Sequence, residues 1–454
     1  MQISASFSRP VARGDLKNLI RISFPLMLFL FCEALTTFCE RIFLSHHSAH
    51  GVHSSLNATY LAYIFQNPCM AISAMAQVFV GLYQGSGELR RMGPCVWQLI
   101  WFSLLSIFIT LPLSFWGASL YFKNTLIQQS GMEYFMILSW GNFLYPLNIA
   151  LTSFYLGRGK TLFVTFLMIM TYALDLLLSW LLIFGIQGII PALGIRGAAL
   201  AKCLSLGLFC IFFFVAFLAK KNRMVYGTGC WQFSPKLLWS YIKPGLVRAF
   251  GYLSARIWWV ATSYVIIRKG ALYLDVQTIG GTIITFFVFL TNGIYRSILT
   301  IAPNLLGAKN YSEIWKLLRS FVIYILIIGG LLTIPLLMFP QSLMYFFDPS
   351  SRESFETTFR TINHWIWLYL IAVALQMSLC GLLVAVRDLK IQLYCSSFNF
   401  LLTFVPVYLA IELAGWQPDK LWLIMAVDNI ILGLIFFYRF RQRKWEEIQA
   451  LTTA

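Results

Sequence analysis

Acidic residues inside long apolar runs are the groups best able to take up a proton or a cation at membrane depth. The first half of the chain has Glu33 and Glu40 within residues 20–44, and Asp175 within 162–186. Glu33 and Glu40 are seven residues apart, so on a helix they share one face, two turns from each other. A charge in hydrocarbon is costly, and where it persists it marks a solute or proton path or is held by a partner. Lys202, within 196–219, offers Asp175 such a partner. A coupling site and a buried Asp175–Lys202 pair that only locks two helices are both open readings. For Glu40 the structural alternative is pairing with Arg41 at the interface. The second half is cationic instead, with Arg248 and Arg256 within 244–267 and Arg296 within 277–301. Arg248 is expected to snorkel to the nearer face. Glu412 and Asp428 are the available partners for Arg256 and Arg296. If these two arginines face a cavity unpaired, they keep their charge even in a dry site. They would then repel cationic solutes and favour anionic ones. His46, His47, His50 and His53 follow the first run. His46 and His50 could share a metal if that stretch is helical, or the group could sense external pH; a solvated loop is the plainer reading.

Composition says what must hold these residues. Of 454 residues, 59% are hydrophobic and 11% charged, with mean hydropathy +0.74, against roughly 25% charged in a soluble domain. The solvent must therefore be lipid. The net charge of +17 does not indicate nucleic acid, because the cations sit between apolar runs rather than on one amphipathic face. At about 20 apolar residues per crossing, the chain is an all-α polytopic membrane protein with about twelve spans: 20–44, 58–84, 95–121, 133–156, 162–186, 196–219, 244–267, 277–301, 316–340, 361–386, 391–413 and 421–440. The longest internal polar stretch divides them into a six-helix bundle over 1–220, a cytoplasmic linker over 221–243 and a second bundle over 244–454. With the N-terminus placed inside, roughly 22 cations fall on one face and about seven on the other. Both termini are thus predicted to be cytoplasmic, in the inner (plasma) membrane. The polar arm to Arg21 and the length of the first run predict a retained helix rather than a cleaved signal. The nine scattered cysteines read as reduced packing residues. Trp97, Trp101, Trp258, Trp259, Trp365 and Trp367 stand near predicted span ends, as an interfacial belt requires. No nucleotide-binding loop, catalytic triad or metal quartet is present, so the chain reads as no enzyme and needs no cofactor.

The two halves echo each other. Gly85-Ser86-Gly87-Glu88 after the second span parallels Gly307-Ala308-Lys309-Asn310 after the eighth. Gly157-Arg158-Gly159-Lys160-Thr161 after the fourth parallels Val386-Arg387-Asp388-Leu389-Lys390 after the tenth. Six spans per half make this a parallel repeat about an axis along the membrane normal. At these residues the chain resembles the multidrug and toxic compound extrusion (MATE) family. Ala302 to Asn310, Gly157/Gly159/Thr161, Leu182-Ile183-Phe184-Gly185 and Gly197-Ala198-Ala199-Leu200-Ala201 match its motifs in order. The resemblance implies two bundles around a central cavity and export of small organic solutes or xenobiotics in exchange for protons or sodium. It places Glu40 at the family's coupling Asp. Asp175 falls one turn from the family's carboxylate, Ser179 where that carboxylate is expected, and Lys202 where threonine is common. It further implies Arg256 in place of a glutamate, and Asp388 as a retained acid. A fixed ammonium competes with a metal cation for the same carboxylates, so H+ is expected rather than Na+. Glu33, Arg256 and Arg296 are the substrate-cavity candidates. The expected partners are a small-molecule substrate and the lipid bilayer, with the protein a monomer. The alternative is a lipid-linked precursor flippase of the same superfamily, which twelve spans fit less well.

Overall fold

The computed structural model describes residues 13–123, 128–186, 191–341 and 356–442. Arg9, Arg352, Arg443 and Lys444, counted above among the cations, lie outside it, as does the side chain of His50. The helices are α1 (Leu16–His47), α2 (Ala49–Ser73), α3 (Met75–Ser86), α4 (Met92–Leu105), α5 (Ile107–Tyr121), α6 (Gln128–Trp140), α7 (Leu144–Leu156), α8 (Thr161–Phe184), α9 (Ile195–Phe217), α10 (Lys220–Tyr226), α11 (Pro235–Arg268), α12 (Ala271–Gly307), α13 (Tyr311–Thr333), α14 (Glu356–Ala385), α15 (Lys390–Ser397), α16 (Asn399–Leu402), α17 (Phe404–Tyr408) and α18 (Leu421–Arg441). Wide π turns at Ile334–Met338 and Leu409–Leu413 extend α13 and α17.

Helix covers all twelve predicted spans. Among the described residues, eight helical stretches are long and apolar enough to cross a membrane, and nine if the segments Lys390–Ser397 and Asn399–Leu413, bent by 54°, count as one. The other three expected spans coincide with α2–α3, α6–α7 and α11. Buried polar groups such as Ser54, Ser55 and Gln66, helix breaks, or internal Lys and Arg make these three less apolar. A bilayer accepts such groups where they face protein.

The chain forms two compact units. Unit 1 takes residues 28–249 with 307–309. Its core gathers Leu44, Ala58, Leu61, Phe122, Phe135, Ile183 and Ala199 from α1, α2, α6, α8, α9 and the end of α5. The segment expected as a linker is ordered within this unit, as α10 and the first turns of α11. Unit 2 takes residues 13–27, 250–306 and the described residues from 310 onward. Its core is built from Ile266, Ile283, Leu336, Phe359, Ile366, Val407 and Trp422, with α14 and α18 in extended contact. Residues 13–27 are tied into it by their backbone. Gly14 N–H donates to Glu313 Oε2 at 2.7 Å and Ser320 Oγ donates to Gly14 O at 2.7 Å. A Cβ on Gly14 would overlap Glu313 O.

The repeat is visible in backbone conformation. α3 is followed by Gly87 (φ +79°) and α12, two residues past its end, by Lys309 (φ +55°), positions paired from sequence. Gly159 (φ +74°) ends α7, with Lys160 N–H donating to Tyr155 O at 3.0 Å. After α14 the left-handed residue is Arg387 (φ +61°), with Asp388 N–H donating to Leu383 O at 3.0 Å. These are left-handed helix ends that leave few carbonyls unpaired. The register here is one residue from the one drawn above, since Gly159 answers to Arg387 rather than Asp388.

Candidate ion-coupling site

Three helices of unit 1 assemble the site. α1 carries Glu40, α8 carries Asp175 and Ser179, and α9 carries Lys202 and Ser205. Glu40 is 6% exposed, Asp175 5% and Ser179 0%. Lys202 Nζ donates to Glu40 Oε2 at 2.7 Å. Asp175 Oδ1 accepts from Ser205 Oγ at 2.9 Å. The lysine therefore pairs with Glu40, neither leaving Glu40 to Arg41 nor closing an Asp175–Lys202 bond. Ser205, one turn along from Lys202 on the same face, supplies the donor that Asp175 takes. Glu40 and Asp175 are close enough to interact with each other as well as with Lys202. Two carboxylates and one ammonium leave one negative charge when all are ionised, and one proton neutralises the group. Glu40 Oε1 and Ser179 Oγ are buried with no hydrogen-bond partner among the described residues.

Sequence reasoning missed Ser205, Tyr134 and Tyr145; both tyrosines lie within electrostatic range of Lys202. With 21 tyrosines in the chain, nothing distinguishes these two until the helices meet. Glu33 is exposed on α1, and no ion pair holds it among the described residues. The hydroxyl of Thr37 donates to its backbone carbonyl at 3.0 Å.

The remaining candidates lie in unit 2. Asp388 is buried just after α14, where Arg439 Nε from α18 donates to its Oδ2 at 2.6 Å. Arg256 is exposed on α11 and Arg296 is half-buried on α12. Their expected acidic partners are engaged elsewhere. Asp428 Oδ2 accepts from Thr403 Oγ1 at 2.6 Å, and Glu412 pairs with Lys269 at 2.9 Å. Among the described residues no carboxylate pairs with Arg256.

Two further expectations change. Arg248 does not snorkel; it is 3% exposed, with Nη1 at 3.8 Å from Met75 Sδ in unit 1. One turn earlier α11 approaches α2 so closely that a Cβ on Gly245 would stand 2.7 Å from Ile72 Cα, which draws Arg248 inward. The histidine stretch is not a loop but two helices. α1 runs to His47, Ser48 breaks it and caps α2, accepting from Gly51 N–H at 3.4 Å. The break separates His46 from His50, so the two do not stand one turn apart on a single helix, and no metal-ligand cluster forms among the described residues. Trp97, expected in an interfacial belt, is buried, and its indole N–H donates to Thr228 O at 2.8 Å.

Residues 249–409 match the MatE family model. That match spans about a third of the chain. Within it the chain is similar to MATE transporters. Several solved MATE and related structures share its fold over nearly the whole chain. A MOP superfamily transporter from Pyrococcus furiosus, described as having a reverse polarity of its binding pocket that suggests a different function, is 17% identical with a TM-score of 0.83, covering 95% of this chain and 97% of that one. A multidrug resistance MATE family transporter in an outward-facing conformation is 16% identical with a TM-score of 0.83, covering 96% and 98%. The eukaryotic MATE transporter AtDTX14 is 16% identical with a TM-score of 0.79, covering 96% and 97%. At these identities the likeness is one of fold. No functionally curated protein matches the chain by sequence.

Proposed function

We propose that this chain is a MATE-type transporter, a secondary active exporter of small organic solutes. It exchanges them for protons through the Glu40–Asp175–Lys202 group by alternating access, as a monomer in the plasma membrane with both termini in the cytoplasm. The observation that carries the reading is the placement of two buried acids within electrostatic reach of one lysine, which bonds Glu40. Protonating one carboxyl removes the repulsion between the acids and weakens the hold on the ammonium, so occupancy by a proton changes how α1, α8 and α9 are held together. Sodium is disfavoured because the Lys202 ammonium already places a positive charge against Glu40, where it competes with a metal cation. The test is efflux of a fluorescent solute from everted vesicles under imposed gradients. A proton gradient should drive it and a sodium gradient alone should not. Movement indifferent to the proton gradient would sink the proposal.

A second observation bears on solute charge. Arg256 is exposed and unmatched by a carboxylate among the described residues, and the Pyrococcus relative is reported with a reversed pocket polarity. An anionic or zwitterionic solute would gain charge-assisted hydrogen bonds from such a guanidinium. Arg256→Ala is expected to reduce transport of acidic solutes by about tenfold or more, equivalent to one lost bond of roughly 1.5 kcal/mol, while leaving cations unaffected or improved. Equal losses for both classes would refute the assignment.

A further inference from the structure

The stretch from α10 into the first turns of α11 is cationic and apolar at once. Lys220, Lys221 and Arg223 are exposed on α10, and Lys236 and Lys243 are exposed on α11. No Asp or Glu occurs between residues 176 and 274. Among these cations Met224 is 63% exposed, Trp231 63% and Trp239 58%. The rings are presented by a fixed backbone. Trp101 indole N–H donates to Trp231 O at 3.1 Å, and Gln98 both donates to Gln232 O at 2.7 Å and accepts from Ser234 N–H at 3.1 Å. A Cβ on Gly93 would lie 2.3 Å from Gly227 O, so the segment is seated directly on α4.

The neighbouring turn between α7 and α8 adds to the same field. The Arg158 guanidinium sits 3.8 Å from the Tyr226 ring centre and 4.7 Å from that of Phe154, and its Nη1 is buried without a hydrogen-bond partner among the described residues. Burial, with repulsion from Arg158 and Lys221, pulls the Lys160 ammonium below its usual pKa. Glu88, the acid that ends α3 beside these turns, is already paired with Arg91 at 2.8 Å.

We propose that residues 220–243, with Arg158 and Lys160, form a docking surface for anionic phospholipid headgroups. Duplex nucleic acid would use the cations but leave Met224, Trp231 and Trp239 in water. A lipid surface takes both, with rings at the headgroup boundary and cations at the phosphates. The surface also follows directly on the end of α9, one of the helices long and apolar enough to cross a membrane. Each such cation strengthens attachment to an anionic surface about fivefold.

Purified protein in neutral detergent is titrated with phosphatidylglycerol or phosphatidylcholine while thermal unfolding is followed. Phosphatidylglycerol should raise the midpoint by several degrees at a concentration at least tenfold below that needed for phosphatidylcholine. The Lys220→Ala/Lys221→Ala/Arg223→Ala variant should need on the order of a hundredfold more. These side chains are exposed, so the variant should fold. Cys230, the exposed one of the nine free cysteines, gives an independent readout in the wild-type chain. An environment-sensitive thiol label there should shift to the blue in phosphatidylglycerol nanodiscs relative to phosphatidylcholine, and 0.5 M salt should reverse the shift. Equal responses to the two lipids would overturn the proposal. So would inorganic phosphate reproducing the full stabilisation, which would make this a simple anion site.

Discussion

Lys202→Ala is expected to lower stability by about 3–5 kcal/mol, because it leaves the Glu40 carboxylate buried without its counter-charge. The pair is short, at 2.7 Å, and Glu40 contributes a side chain only 7% exposed. Glu40→Gln should be milder, since the amide oxygen still accepts from the ammonium. That variant should nonetheless abolish efflux driven by a proton gradient, because its side chain no longer titrates. The double variant Glu40→Gln/Lys202→Met should recover much of the stability lost in Lys202→Ala while remaining inactive. Such non-additivity is what a direct pair produces. Thermal unfolding in detergent reads the first effect and vesicle efflux the second. Proton-driven efflux at the wild-type rate in Glu40→Gln would remove Glu40 from the mechanism. Unchanged stability in Lys202→Ala would show that the pair contributes little to the fold.

Gly197→Ala should also be strongly destabilising, although alanine is ordinarily the better helix former by about 1 kcal/mol. A Cβ at this position would lie 2.3 Å from Leu182 O and 2.5 Å from Leu182 C. These are backbone atoms near the end of α8, which cannot swing aside as a side chain would. Relief requires α9 to move away from α8, and overpacking of this kind costs about 1–3 kcal/mol. The same displacement would move Lys202 and Ser205 relative to Asp175, so transport should fall with stability. Gly281 in α12 is the control, because a Cβ there meets nothing within 4 Å. Gly281→Ala should be neutral or stabilising by up to about 1 kcal/mol. Similar behaviour of the two variants in a thermal melt would show that the α8–α9 approach is not tight.

The helices were legible because hydrocarbon imposes one rule on every crossing, and apolar length reports it directly. The glycine motif after α7 was legible for a related reason: Gly159 occupies a left-handed conformation that disfavours other residues. Its counterpart Arg387 adopts that conformation with a Cβ, so composition gave no cue and the register slipped by a residue. Glu40, Asp175 and Lys202 stood out singly, as charges in apolar runs. Which acid takes the lysine depends on three helices separated by up to 162 residues, and on Ser205, which looks ordinary in a helix. Arg248 fell outside the pattern for the opposite reason. Snorkelling assumes a helix end with room to reach water, and the approach of Gly245 to Ile72 removes that room.

The attachment of Gly14 within unit 2 has a consequence for how the protein is made. Its partner Glu313 lies 299 residues later, and Ser320 lies beyond that. At about 5–20 residues per second, the start of α1 must wait roughly 15–60 s after its own synthesis before these partners exist. Until then the segment around Gly14 keeps the backbone groups that will meet Glu313 and Ser320 open, available to insertion factors or to the wrong helix. Severing the chain within α10 would place residues 13–27 on a different polypeptide from the rest of unit 2. Two separately produced halves would then regain that unit only by finding each other.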